Sequence, residues 1–283
     1  QKIPEVDVNL EDYGMLYRLA KNGKKPVVKL IATSNELGDV PTFNTIAKIN
    51  GVEKPNEYVI LSAHFDSWDG GQGTTDNGTG TLVMLEAMRI LKKIYPNPKR
   101  TILVGHWGSE EQGLNGSRAF VEDYPEIIKN TQSLFNQDNG TGRVVSLSGQ
   151  GFLYSYEFLS RWLSFVPKYI TDHIETEFPG EPSYGSTDHA SFIAAGVPAF
   201  NLDAISWDYS NLTWHTNLDT YDKIVFDDVK RNVITTVILA YKASEEEELV
   251  SREKRVMPIS PRTGRKMDWP SVRKPNRDGT SPR

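Results

Sequence analysis

The stretch YVILSAHFDSWDGGQGTTDNGTG, residues 58–80, decides the fold class of this chain. Tyr58 to Ala63 is a short, nearly continuous apolar run, the pattern of a buried strand. It ends in a polar, glycine-dense loop that begins at His64. Beyond that loop, Val83, Ala87, Ile90, Leu91 and Ile94 recur at helical spacing and predict a helix from Thr81 to Ile94. The pattern then repeats. Thr101 to Trp107 reads as a second strand, followed by the acidic, Gly-bearing SEEQGLNGS. Leu134 and Phe135 lie in a third strand that ends at Asp138, and Pro198 to Leu202 reads as a fourth. Helices are expected over Tyr154 to Phe165 and from about Asp227 to Ala243, the second started by Asp227 and Asp228 through capping and the helix dipole. Alternation of this kind is the signature of an α/β domain.

The bulk composition narrows the function classes. A chain of 283 residues holds one large α/β domain, or a core with a fragment of another. No apolar run is long enough to span a membrane, and a net charge of -5 argues against a nucleic-acid partner. Cysteine is absent, so any metal is held by His, Asp and Glu. The chain opens at Gln1 with no signal peptide and reads as a processed form. At the other end, glutamates 245–248 precede a segment with Pro258, Pro261, Pro270, Pro275 and Pro282 among many basic residues. Residues 251–283 are therefore expected to form an extended or disordered tail. No internal repeat is visible.

Five polar positions stand at strand ends or in the loops after them, where open α/β sheets bind ligands. They are His64, Asp76, the pair Glu110-Glu111, Asp138 and His215. Singly each has a bland reading: a hydrogen-bonded structural histidine, two turn aspartates, a solvated carboxylate pair, a surface histidine. Asp66, two residues after His64, raises the odds for chemistry, since a carboxylate on the free ring N–H fixes the tautomer of a metal-binding histidine. Adjacent carboxylates in a pocket repel and need a cation nearby to stay ionised. Together the set gives two histidines, three carboxylates and a spare glutamate, which matches a two-zinc site with a bridging carboxylate.

The segments HFDSWDGGQGTTDNGTG, EEQGLNGSRAF, QDNGTG, YGSTDHASFIAAGVPAF and WHTNLDTYDKI occur in this order between about residues 60 and 225. In them the chain resembles the di-zinc aminopeptidase and carboxypeptidase family of metallopeptidases, in the branch of plasma glutamate carboxypeptidase. The resemblance implies a three-layer α/β/α fold with a mixed, mostly parallel central sheet, and two zinc ions as cofactors. It implies His64 and Asp138 on one zinc, Glu111 and His215 on the other, and Asp76 bridging. Glu110 would be the general base and Asp66 the residue that orients His64. His106, His173 and His189 match no ligand position. Asp188 resembles part of a loop lining the substrate pocket. Some relatives carry a tyrosine where this chain has Trp214, so either Tyr184 or Tyr209 is expected to supply that hydroxyl or the second zinc suffices without one.

By the same resemblance, residues 1–30, with a short strand and an amphipathic helix, are the tail of a protease-associated domain. Residues 31–250 are the peptidase domain, its first part missing, in a secreted or periplasmic protein. The expected partner is a peptide substrate, with a homodimer as one option. Dipeptides and short peptides with a free N-terminus are favoured, because Arg118 and Lys223 are the only basic residues in the five segments. A carboxypeptidase is the alternative. Glutaminyl cyclases, with one zinc, and a non-catalytic receptor-like relative are the remaining rivals.

Overall fold

A computed structural model describes residues 6, 8–33, 35 and 38–277 of the protein. Its strands are β1 (Thr45–Ile49), β2 (Lys54–His64), β3 (Arg100–Trp107), β4 (Thr131–Asn136), β5 (Val144–Ser148), β6 (Glu175–Glu177), β7 (Ala199–Asn201) and β8 (Asp203–Ala204). Its helices are α1 (Leu10–Lys21), α2 (Thr79–Ile94), α3 (Asn115–Asp123), α4 (Pro125–Lys129), α5 (Ser155–Leu163), α6 (Lys168–Thr171), α7 (His189–Ala194) and α8 (Phe226–Glu245).

The central sheet runs β1-β3-β2-β4-β7. β2 pairs parallel with β3 and β4, β4 pairs parallel with β7, and β1 is the antiparallel edge. The alternation of side chains explains why the sequence shows continuous apolar runs. Val59, Leu61 and Ala63 face a core shared with α2, α5 and α8, while Ile60 faces a second core shared with α3, α4 and α7. β3 divides the same way, with Ile102 and Val104 on the first side and Leu103 and Trp107 on the second. A strand buried on both faces has no polar alternation to show. The result is three layers, helices on both faces of a mixed sheet. A smaller sheet, β6-β5-β8, lies beside it.

Three details differ from the sequence reading. Asp227 and Asp228 lie in the first turn of α8, but neither caps it; Asp228 instead pairs with Arg231 at 3.2 Å and accepts from the indole of Trp207 at 3.1 Å. At the N-terminus, α1 forms with Asn9 capping it and buries none of its residues. The short strand expected before α1 falls largely on residues 1–5 and 7, outside the described residues, and Val6 and Val8 are not in a strand.

The third difference is the C-terminal segment, expected to be an extended or disordered tail. Between residues 251 and 277 it carries no helix, yet it is fastened to the body. Met257, Pro270 and Pro275 are buried. Trp269 packs edge-on against Phe152 and donates to the carbonyl of Ile193 at 3.0 Å. Arg252 donates to the carbonyls of Ile128, Lys129 and Thr131, and Arg277 pairs with Glu122 and Asp123. A few well-placed anchors do what composition does not reveal. Among the described residues, no helix is long and apolar enough to cross a membrane.

Candidate metal centre

The parallel strands aim their C-terminal ends at one place, and the polar positions collect there. His64 is the last residue of β2, Glu110 and Glu111 lie in the turn after β3, and Asp138 follows β4 by two residues. Asp76 comes from the loop that leads into α2, and His215 from the loop before α8. Nε2 of His64 lies 3.1 Å from Oδ1 of Asp76 and 3.1 Å from Oδ1 of Asp138. Nε2 of His215 lies 3.0 Å from Oε2 of Glu111 and 3.5 Å from Oδ2 of Asp76. The two oxygens of Asp76 thus face two different histidines, each of which also faces a second carboxylate.

Donor atoms of His64, Asp76 and Asp138 all lie within 4.8 Å of one another, as do those of Asp76, Glu111 and His215. A third such group joins His64 to Glu110 and Glu111. His106, His173 and His189 belong to none of these groups. His106 and His189 are buried, and burial lowers both ring pKa values, that of His189 to about 4. His173 lies exposed on the turn after α6.

Asp66 does more than stand beside His64. Nδ1 of His64 meets the backbone carbonyl of Asp66 at 2.9 Å, while the carboxylate stands off at 3.7 Å. That carboxylate accepts the backbone N–H groups of Glu110 at 3.0 Å and Glu111 at 3.2 Å. Burial raises the Asp66 carboxyl, but His64 and these backbone donors outweigh it and hold it below its usual range. Asp66 therefore ties β2 to the turn that presents the two glutamates.

Two further supports carry no signal in the sequence. Asp219, buried in the last of the quoted segments, accepts the N–H of Thr75 through Oδ1 at 2.7 Å and that of Asp76 through Oδ2 at 3.0 Å. Trp68 donates its indole N–H to Oε2 of Glu111 at 2.7 Å, and its ring lies 5.3 Å from that of His215. The backbone is held tightly in places. Ser109 and His215 both sit in the left-handed region, at φ 59° and 58°, a conformation that costs a non-glycine residue roughly 1–2 kcal/mol. At Gly80, an added Cβ would come within 2.4 Å of the Gln137 carbonyl, so only glycine lets α2 start against that loop.

The two candidate tyrosines separate cleanly. Tyr184 gives its hydroxyl to the carbonyl of Asp268 at 2.8 Å. Tyr209 packs against Gly140; burial, then the charges of Asp138, Asp76 and Glu111, drive its pKa far up, so it stays neutral. Asp188, expected to line the pocket, is fully buried just ahead of α7.

Crowded carboxylates with too little positive charge dominate the electrostatics. Burial, then Asp188 and Asp138, push Glu110 up to about 10. Burial and Asp76 push Glu111 up to about 8, and burial takes Asp188 to about 7. For His64, burial opposes the charged ring, but Asp138, Asp66 and Asp76 outweigh it and raise its pKa strongly. Oε1 of Glu111 is buried and accepts no hydrogen bond. A cation among these oxygens would relieve both the repulsion and the unsatisfied acceptor. Imidazole nitrogens mixed with carboxylate oxygens suit zinc, so the residues fit that ion.

Known proteins share this arrangement of sequence and fold. Residues 44–240 match the sequence profile of Peptidase family M28. Carboxypeptidase Q of Xenopus laevis is 32% identical over 259 residues, covering 89% of this chain and 52% of that protein. The chain spans about half the length of the curated relatives it matches first. Among solved structures, a Peptidase M28 precursor from Shewanella amazonensis superposes with a TM-score of 0.74 at 24% identity, over 85% of this chain and 53% of that one. A zinc aminopeptidase from Bacillus subtilis superposes at 0.59 with 24% identity, over 75% and 52%. The matched region contains every histidine and carboxylate of the three donor groups, and on that extent of agreement the chain belongs to Peptidase family M28.

Proposed function

We propose that the protein is a zinc-dependent exopeptidase that cleaves dipeptides and short peptides at a two-zinc site. His64 and Asp138 serve one ion, Glu111 and His215 the other, and Asp76 bridges them. One observation carries this reading: the two oxygens of Asp76 face separate histidines, each with its own second carboxylate. Relatives whose names describe a carboxypeptidase and a zinc aminopeptidase support peptide hydrolysis as the reaction class.

When bound, zinc supplies Lewis acidity and brings the pKa of water toward neutrality. Glu110, beside the donor cluster and outside the assigned ligand set, takes the proton of the attacking water and returns it to the leaving amine. Asp66 keeps Glu110 and Glu111 at fixed height through their backbone N–H groups. Tyr209, kept neutral by burial and the surrounding carboxylates, is the donor for the developing oxyanion. The acidic surroundings suit a free α-amine on the substrate.

The test is hydrolysis of a free dipeptide and its N-acetylated form by the zinc-loaded protein. Cleavage of the free form, lost on chelation and weakened by acetylation, is the expected result. Undiminished cleavage after exhaustive removal of zinc would refute the proposal.

A further inference from the structure

Residues 178–188 contain no helix or strand, yet they end beside the metal centre. Oγ1 of Thr187 accepts a hydrogen bond at 3.3 Å from Nδ2 of Asn136, two residues before Asp138. On the other side of Asp188, Oγ of Ser191 lies 2.9 Å from Oγ of Ser117, on the helix that follows the two glutamates. Asp188 stands between these contacts, fully buried, and neither of its carboxylate oxygens has a hydrogen-bond partner among the described residues. A buried carboxylate without donors is costly, so an irregular loop keeps it there only if its surroundings fix the backbone.

The C-terminal segment supplies that restraint at three points. Nη1 of Arg255 donates to the carbonyl of Gly180 at 2.6 Å. The backbone N–H of Arg255 bonds the carbonyl of Gly151 at 2.8 Å, and Gly151 in turn bonds the carbonyl of Pro179 at 2.7 Å. Tyr184 gives its hydroxyl to the carbonyl of Asp268, and the indole of Trp269 donates to the carbonyl of Ile193. In chain order the clasps fall at Gly180 and Tyr184, before Asp188, and at Ile193, after it. The fit is close: Gly151 has φ 80°, and a Cβ there would come within 2.9 Å of the Trp269 ring. Arg255, Asp268 and Trp269 all lie beyond residue 240, where the match to the family ends.

We propose that Arg255 and Tyr184 are positioning residues, through which the C-terminal segment clasps residues 180–193 and fixes Asp188 as a wall of the peptide site. This rests on reading the adjacent cluster as the hydrolytic site. Tyr184 then acts through its bond to Asp268 and touches no reacting atom. The clasp is a property of this chain's own C-terminal segment, added to a metal centre that the matched region already contains.

The experiment compares Tyr184→Phe, Arg255→Gln and Arg255→Lys with the natural sequence, all zinc-loaded. Tyr184 is exposed, so losing its hydroxyl leaves the core alone. Hydrogen exchange of the amides of residues 180–188 should quicken about 3–10-fold in Tyr184→Phe and in Arg255→Gln, the usual worth of one such bond. KM for alanyl-leucine should rise by about the same factor, with kcat within about twofold and zinc content and Tm unchanged. Arg255→Lys should be intermediate, because an ammonium still donates to a carbonyl. Unchanged exchange in both Tyr184→Phe and Arg255→Gln overturns the proposal, as does faster exchange with an unaltered KM. A rise in KM that appears only together with lost zinc or a lowered Tm overturns it too, since that is general damage to the fold. Failure of the hydrolytic reading has a separate signature, no cleavage of alanyl-leucine by the natural sequence, and the exchange comparison then still decides whether the clasp exists.

Discussion

Asp219 holds Asp76 by the backbone. Its two carboxylate oxygens accept the consecutive N–H groups of Thr75 and Asp76 across more than 140 residues of chain, and so set the position from which Asp76 addresses both histidines. Asp219→Ala would leave two buried donors unpaired, at about 1–3 kcal/mol each. Zinc affinity should fall about 10–100-fold, as it does when outer supports of metal ligands are removed. Competition with a chromogenic chelator measures this. An unchanged affinity would show that the loop holds its shape without Asp219.

The glutamate pair separates chemistry from binding. Glu110→Gln should retain its zinc and lose roughly 10²–10⁴-fold in kcat, since an amide takes no proton from water. Glu111→Gln should instead weaken zinc binding, because Oε2 faces His215 and the buried Oε1 has no other partner. Metal content and steady-state kinetics on both variants decide the assignment. The opposite pattern would exchange the two roles.

Glu111 and Glu110 also set a pH dependence. Their folded-state values of about 8 and about 10 lie above the ordinary 4.5, so the zinc-free fold binds these protons more tightly than the unfolded chain does. The raised pKa of His64 acts in the same direction. Stability of zinc-free protein should therefore fall as pH rises from about 5 through 8. Zinc displaces the protons, so the rise in Tm on adding zinc should grow over the same interval. Thermal melts at several pH values, with chelator and with zinc, test the sign. A zinc-free protein that gains stability toward pH 8 contradicts it.

The C-terminal segment should matter to the fold. Trp269→Ala removes a ring packed on Phe152 and a hydrogen bond to Ile193, and should cost about 2–3 kcal/mol, below the range for a fully buried ring. Ending the chain after Arg255 should cost more. Chemical denaturation reads both, and an unchanged midpoint would mean that the segment only rests on the surface.

What the sequence disclosed follows from the physics of each feature. β2, β3 and β4 were legible because strands buried on both faces leave apolar runs, and α2 because its inner face repeats at helical spacing. His64, Asp76, Glu110, Glu111, Asp138 and His215 stood out because polar residues at strand ends need a reason to be there. Asp219 and Trp68 did not. Each acts on a residue far away in the chain, from a loop without periodicity, and a lone polar residue in a loop looks the same whether or not it has such a partner. Asp66 was noticed beside His64, but its bonds to the backbone of Glu110 and Glu111 were not, since sequence order alone does not say which loops meet.

The measurement closest to the central claim is zinc per chain in purified, zinc-loaded protein, by mass spectrometric metal analysis beside Asp76→Ala and His64→Ala. Two overlapping donor groups that share Asp76 predict close to two ions in the natural sequence. They predict loss of both in Asp76→Ala, and a deficit of mainly one in His64→Ala. A firm stoichiometry of one in the natural sequence, left in place by Asp76→Ala, would contradict the two-zinc site.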